Sequence, residues 1–248
     1  MSDNLNIWDA VCETDPSRTK GYKGIGGFEG TAINPTYLIM EATKLWGPIG
    51  LDWGYVVKSD YFTDGAPITK DNAYVLDHEG NMILQKMHTC ELELWYTVGD
   101  KVGRVFNYGH TPYLLSNKWG ITYDGEVKKK SLTDALKKCL SMLGFAADIF
   151  LGDYEDSDYL QLITEKSRIE KAENKTEEVE KIKVEHEEWY AKHTGLMKTA
   201  TNSSELETLF KIAVKTLRQR KDNEGLIEVT RIKDIRKGQL EESSNANK

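Results

Sequence analysis

Apolar residues recur most regularly between Lys128 and Asp156, at the spacing that places them on one side of a 3.6-residue helix. These positions are Leu132, Leu136, Cys139, Leu140, Leu143, Ala147 and Phe150. Lysines lie on the other side and its flank, and Ser131 is a candidate N-cap because Asp134 follows it by three residues. The pattern predicts a helix that packs on a core through its apolar side and exposes a cationic side.

Upstream of this helix, short runs rich in β-branched and aromatic residues are separated by Gly, Asp and Asn, which is typical of antiparallel strands. The runs are LDWGYVV, AYVLD, MILQKMHTCELELWYTV and GRVFNYGH. Before them, Asn34 as cap, Pro35 at the first helical position and Gly47 as the stop predict another helix. The order favours an α+β fold, an antiparallel β-meander with flanking helices.

The texture changes from Asp153 onward, where charged residues become dense and the apolar stripe thin. We predict a core over residues 1–156, a charged helical linker over 157–198 and a small helical module over 199–240. In that module Ser203 or Ser204 is the candidate cap and Gly225 the stop. Residues 241–248 are predicted to form a disordered polar tail.

Composition narrows the classes of protein that fit. The chain has no run of eighteen apolar residues and no basic or apolar leader, so we expect no membrane partner and a cytoplasmic location. The three cysteines are far apart and have no metal-ligand spacing, which supports neither a disulfide framework nor a zinc site. A formal net charge of −7 repels polyanions at long range, so any nucleic-acid site must be a local basic strip.

The glycine-rich stretch KGYKGIGGFEG invites a phosphate-loop interpretation, but no Gly-Lys-Ser/Thr closes it and no strand feeds into it. We predict a mobile loop whose Lys20, Tyr22 and Lys23 can touch a phosphate backbone. The scattered histidines have no partner at the spacing of a metal site or an activated nucleophile. No catalytic constellation emerges, and we expect neither an enzyme nor a cofactor.

Two alternatives remain open at this point. The acidic cluster of Asp153, Glu155, Asp156 and Asp158 either holds Mg²⁺, as nuclease carboxylates do, or forms an ordinary solvated turn. The lysine side of the helix either is merely solvated, as in a protein-interaction scaffold, or binds nucleic acid.

Single-stranded nucleic acid requires a line of cations for its backbone and aromatic faces for its bases. The candidate cations are Lys128, Lys129, Lys130, Lys137 and Lys138. Stacking faces are offered by Tyr22, Phe28, Tyr37, Trp53, Tyr55, Tyr108, Tyr113, Trp119 and Tyr123, although most aromatics in such a domain belong to the core.

The segment LTDALKKCLSMLG, residues 132–144, resembles the signature helix of the single-strand annealing proteins. That superfamily includes the eukaryotic recombination mediator Rad-fifty-two and the phage Erf-type and Sak-type recombinases. INPTYLIMEATKLWGPIGLDWGYVV is similar to the first helix and first strand of the family, and GFAADIFLGDYED to the exit from the signature helix in its phage members. The resemblance covers residues 20–156.

The resemblance implies ATP-independent binding and annealing of single-stranded DNA in recombination and repair, by a phage-encoded protein in a bacterial host. It places Lys137 and Lys138 where a Lys-Arg pair lines the inner DNA groove, and it implies a homo-oligomer, either a ring or a helical filament. Tyr37 stands where eukaryotic relatives carry a phosphate-binding arginine, so Lys20, Lys23 or Lys44 substitutes, or Tyr37 stacks.

The last part of the chain also resembles a small helical module found at the end of phage annealing proteins. The matching stretch is SSELETLFKIAVKTLRQRKDNEGLIEVTRIKDIRKGQLE. The resemblance implies that this module contacts a protein partner such as a single-strand binding protein.

Overall fold

The computed structural model describes residues 3–24, 27, 29–117 and 120–246 of the chain. It divides the chain into two compact units, Met1–Gly152 and Asp153–Lys248. The division coincides with the change in sequence texture at Asp153 and falls a few residues before the predicted end of the core at residue 156.

The first unit is an α+β fold, as predicted. Its elements are α1 (Asn6–Val11), β1 (Thr19–Lys23), β2 (Glu29–Ile33), α2 (Pro35–Trp46), β3 (Trp53–Pro67), β4 (Thr69–Lys70), β5 (Ala73–Tyr74), β6 (Leu84–Val98), β7 (Lys101–Asn117), β8 (Gly120–Tyr123), α3 (Val127–Ser141) and α4 (Ala147–Phe150). One curled antiparallel sheet has the strand order β3-β6-β7-β8, whereas β1 with β2 and β4 with β5 form separate hairpins.

Helix α2 begins and ends as its sequence predicts. The Asn34 side chain accepts a hydrogen bond from the Thr36 amide at 2.9 Å, and Pro35 occupies the first helical position. Gly47 ends the helix with φ at 111°, a conformation that favours glycine, and a side chain there would overlap the Asp52 carboxylate. These caps fix the length of α2.

Helix α3 lies on β6 and β7, with its apolar side in the core of the unit. Ala135, Cys139 and Leu140 are fully buried there. The approach of helix to sheet depends on Gly109 of β7, because a methyl group at that position would overlap the Ser131 carbonyl oxygen. The predicted apolar side is therefore the side that packs, and Gly109 sets how closely.

Two details of the predicted helix are wrong. Ser131 is not the cap, because the helix begins at Val127 and the buried Ser131 hydroxyl donates to the His88 carbonyl at 3.3 Å. The helix also ends at Ser141 instead of continuing, and Gly144 turns the chain with φ at 100°. Phe150 consequently lies on α4 and is 56% exposed instead of joining the α3 core.

The glycine-rich stretch forms a hairpin where a mobile loop was predicted. Strands β1 and β2 pair from Thr19 with Ile33 to Lys23 with Glu29. The Asn34 amide donates to the Arg18 carbonyl at 3.1 Å and closes the base of the hairpin. Phe28 lies outside the described residues.

The second unit is a helical bundle. Its helices are α5 (Ser157–Lys171), α6 (Lys175–Thr199), α7 (Ser203–Gln219) and α8 (Asn223–Ala246). Its core contains Met197, Ala200, Leu206, Ala213, Leu217, Val229 and Ile232, and Trp189 and Tyr190 of α6 pack against it. The stretch predicted as a linker is thus part of the packed bundle.

The ends of the last helices differ from their predicted positions. Asn202, not Ser203 or Ser204, caps α7 by accepting from the Glu205 amide at 2.9 Å. Gly225 lies in the first turn of α8 instead of ending α7, and α8 continues to Ala246 where a disordered tail was predicted.

Candidate nucleic-acid interface

The lysines at the start of α3 are all engaged by carboxylates. Lys128 forms an ion pair with Asp60 of β3 at 2.8 Å, and Lys130 pairs with Asp124 at 2.5 Å. Lys129 pairs with Glu126 in the preceding turn. The hydrogen bonds from Lys128 and Lys130 lower the pKa of Asp60 and of Asp124, respectively. Three of the predicted DNA-binding lysines therefore already have an anionic partner.

Lys138 is engaged in the same way. Its ammonium donates to the Asp134 carboxylate, one turn earlier on α3, at 2.8 Å. The same Asp134 oxygen accepts the His110 amide of β7 at 3.2 Å. Asp134 thus joins helix to strand and at the same time neutralises one member of the predicted Lys137–Lys138 pair.

Lys137 differs from all of these. Its side chain is partly buried, and within the described residues it has no carboxylate partner. It lines a cleft of about 270 Å³, which we call the Lys137 cleft. The lining residues are Tyr22, Thr31, Ala32, Ile33, Lys137, Ile149 and Phe150. The β1–β2 hairpin forms one wall, and α3 with α4 forms the other.

The two lysines of the hairpin lie on opposite faces. Successive strand residues point to alternate faces, so Lys20 shares a face with Tyr22, which lines the Lys137 cleft. Lys20 is exposed and has no ion-pair partner in the part of the chain that the structure describes. Lys23 lies on the other face and pairs with Glu29 at 2.6 Å. Lys20, not Lys23, therefore lies on the hairpin face that carries Tyr22.

Tyr37 is not placed as a surface contact. Its ring packs against the core, and its hydroxyl accepts a hydrogen bond from the Asp15 amide at 3.4 Å. Burial raises the pKa of Tyr37 to about 12. Lys44, a possible substitute on α2, is paired with Glu41 at 2.7 Å. Of the proposed substitutes for the family arginine, Lys20 alone has no ion-pair partner among the residues described.

The stacking candidates are dispersed. Trp53 is fully buried in the core, and Tyr55 and Tyr108 lie on the sheet and are about one-third exposed, at 37% and 38%. Trp119, like Phe28, lies outside the described residues. Among the candidates, Tyr22 lines the Lys137 cleft and is 46% exposed.

The acidic cluster has structural partners. Asp156 caps α5 by accepting from the Asp158 and Tyr159 amides, and the hydrogen bond from Lys215 lowers its pKa. Lys215 contacts Asp156 at 2.8 Å and Asp158 at 3.3 Å. Among the described residues, no group of three or more His, Cys, Asp or Glu side chains is arranged to hold a metal ion.

The apolar wall of the Lys137 cleft was missed by the sequence analysis. Phe150 follows the helical spacing of α3, so periodicity assigned it to the core side of that helix, and Ile149 was not assigned. The turn at Gly144 sends both residues to the cleft. The glycine in an otherwise continuous stripe was the available signal.

No family model matches the sequence, and no curated protein matches it. Across the described ranges, none of the helices combines the length and the apolar character needed to cross a membrane.

Proposed function

We propose that this protein binds single-stranded DNA and anneals complementary strands without ATP, as a phage-encoded factor of recombination and repair in the bacterial cytoplasm. The proposal combines the resemblance of α3 to the annealing signature with one structural observation. Lys137, a residue of intermediate exposure, has no carboxylate partner among the described residues and lines an open cleft.

Phosphate is the anion that fits this arrangement. Lys137 lacks the anionic partner that its neighbours on α3 have. A phosphate in the cleft supplies it, and Lys20 on the adjoining hairpin face provides a second contact along the backbone. Contacts to the backbone leave the base edges free, which annealing requires.

Assembly of many copies of the chain along one DNA strand supplies the affinity that a single copy lacks. The Lys137 cleft with Lys20 offers few phosphate contacts, so tight binding requires many copies along one strand. Two long strand edges suit head-to-tail assembly. Strand β3 is at one edge of the sheet, and β8 pairs only with Leu114–Asn117 of β7, which leaves β7 from Lys101 to Pro112 without a second strand partner in the described chain. Joining opposite edges generates a ring or a helical filament.

The second unit has a surface suited to a protein partner. A cleft of about 220 Å³ is lined by Lys198, Ile232, Ile235, Arg236 and Gln239. Isoleucines flanked by cations suit an acidic peptide with an apolar residue. This supports the expectation that the helical unit contacts a partner such as a single-strand binding protein.

The test is annealing of two complementary, fluorescently labelled oligonucleotides without nucleotide cofactor. We expect wild type to accelerate annealing and Lys137→Ala to lose most of that acceleration. Lys70→Ala is the matched control, because Lys70 is an exposed lysine on β4 outside the cleft. A folded, oligomeric wild-type protein that does not accelerate annealing would contradict the proposal and favour a protein-interaction scaffold.

A further inference from the structure

The wall of the Lys137 cleft formed by α3 and α4 presents an exposed aromatic ring. Phe150 of α4 lines the cleft together with Lys137, and it is 56% exposed. None of the aromatic or cation–π contacts in the described part of the chain involves Phe150, and it does not join the core cluster of its unit. Its neighbour Ile149, by contrast, packs against that core. A large apolar ring is therefore left open to solvent beside a cation.

Helix α4 is anchored to residues 11–14, which positions Phe150. The buried Asp148 carboxylate accepts hydrogen bonds from the Thr14 amide at 2.6 Å and from the Thr14 hydroxyl at 2.7 Å. The Ala146 amide donates to the Val11 carbonyl at 3.2 Å. Ala146 has φ at 55°, a left-handed conformation that costs free energy in a residue with a Cβ atom. The surrounding contacts hold this turn, so a ligand meets Phe150 already in place, which lowers the cost of binding.

We propose that Phe150 is a stacking platform for one base, so that the Lys137 cleft takes an unpaired nucleotide with its base on Phe150 and its phosphate on Lys137. An exposed aromatic face and a cation in one cleft are complementary to these two parts of a nucleotide. This inference rests on the proposed binding of single-stranded DNA and adds a residue that selects the form of the ligand. Both faces of a base inside a duplex are covered by its neighbours, so such a base cannot stack on Phe150 without leaving the duplex.

Stacking on Phe150 is compatible with annealing. Every base presents a π face, so the contact does not depend on sequence, and the pairing edge stays available to a complementary strand. Phosphate contacts alone are offered equally by single strands and by duplexes. Phe150 thereby supplies a preference for single strands that Lys137 cannot give.

The variants separate the π face from apolar bulk. Phe150→Trp keeps an aromatic face, whereas Phe150→Leu keeps apolar bulk and removes that face. Leu151→Ala is the matched control, because Leu151 is the next residue, is 70% exposed and does not line the cleft. Substitutions at exposed positions usually change stability little, and circular dichroism checks that each variant is folded.

The experiment measures binding of the full chain to a labelled oligothymidylate and to an abasic oligonucleotide of the same length. We expect Phe150→Leu to weaken oligothymidylate binding by roughly tenfold, with unchanged salt dependence and unchanged affinity for the abasic strand. Phe150→Trp should bind oligothymidylate at least as tightly as wild type does. Leu151→Ala should bind both strands as wild type does.

Several outcomes would overturn the inference. Wild-type affinity of Phe150→Leu for oligothymidylate would remove the stacking role while leaving the proposed function intact. An equal loss on the abasic strand would show that Phe150 does not act through a base. Displacement of the strand by polyglutamate at equal charge would assign the cleft to an acidic protein. A wild-type protein that binds neither strand would contradict the proposed function itself.

Discussion

Arg168 and Arg220 of the second unit differ from Lys137 of the first unit in whether a carboxylate of the chain pairs with them. In the second unit, Arg168 of α5 donates to Glu178 at 2.9 Å and to Glu185 at 2.8 Å, both on α6. Arg220 pairs with Glu165 at 2.5 Å. In the first unit, Lys137 lines a cleft with no such partner in the described ranges.

These ion pairs have a structural function in the bundle. The hydrogen bonds that Arg168 donates to Glu185 and Glu178 raise the pKa of Arg168, and they lower the pKa of Glu185 in return. Arg236 donates to the Ala200 carbonyl at 2.8 Å, which caps the end of α6. The comparison teaches that the number of cations does not locate a nucleic-acid site. The proposed site rests instead on a lysine that both lines a cleft and lacks a carboxylate partner among the described residues.

Dividing the chain after Gly152 should give the largest difference between the units. We expect residues 1–152 to bind labelled single-stranded DNA with the salt dependence of the full chain, and residues 153–248 not to bind it measurably. The reason is that the Lys137 cleft and Lys20 lie in the first fragment. Fluorescence anisotropy of a labelled oligothymidylate measures both fragments. If residues 153–248 bound the DNA as tightly as residues 1–152, the proposed difference between the two units would be contradicted.

Gly109→Ala should destabilise the first unit alone. The added methyl group meets the Ser131 carbonyl and the Ala135 amide, so α3 must shift away from β7. We expect a loss of about 1–3 kcal/mol or more, the usual cost of overpacking. Thermal unfolding monitored by circular dichroism measures it. The matched control is Gly21→Ala on β1, where a methyl group meets no atom within 4 Å. An equal loss of stability in both variants would show that Gly109 does not determine how closely α3 packs on β7.

Gly195→Ala should stabilise the second unit, in contrast to the destabilisation expected for Gly109→Ala in the first. Gly195 lies inside α6, and a methyl group there meets no atom within 4 Å. Alanine in place of glycine restricts the unfolded chain, so we expect a gain of about 0.5–1 kcal/mol. Chemical denaturation followed by circular dichroism measures it, and destabilisation would contradict the open surroundings of Gly195.

The smallest expected effect is a pH dependence of the stability of the second unit. Burial lowers the pKa of His186, the Arg220 charge lowers it further, and Asp222 and Glu165 oppose these effects. Because the folded pKa lies below the unfolded value of 6.5, the unfolded chain binds the proton more readily. Stability is full above about pH 6.5 and falls as the pH decreases toward the folded pKa.

Thermal unfolding at several pH values tests this. We expect the unfolding temperature to decline below pH 6.5, and we expect a smaller decline in His186→Gln. The same decline in the variant would assign the pH dependence to other groups. His186 Nε2 is buried without a hydrogen-bond partner among the described atoms, so the variant loses no observed bond at that nitrogen.

Local signals predicted much of the fold. The caps of α2 follow from Asn34, Pro35 and Gly47, which act within their own turn. The apolar side of α3 also follows from spacing alone. Ser131 failed as a cap because its hydroxyl bonds the His88 carbonyl of β6, a partner distant in sequence that local patterns do not reveal.

The candidate site was predictable only in outline. The sequence identifies a lysine-rich helix, but the partners that neutralise Lys128 and Lys130 are Asp60 of β3 and Asp124, just before the helix. Tertiary structure decides which lysine is left without a carboxylate partner. The hairpin that completes the Lys137 cleft was likewise predicted as a loop, because its glycines hide the pairing of β1 with β2.

The most direct test of the account is the salt dependence of oligothymidylate binding by wild type, Lys137→Ala and Lys70→Ala. We predict that Lys137→Ala binds more weakly to all sequences and that its slope of log K against log salt is shallower by about 0.7 for each subunit contacted. Lys70→Ala should match wild type. A Lys137→Ala protein that is folded and binds with wild-type affinity and slope would contradict the assignment of the cleft to DNA.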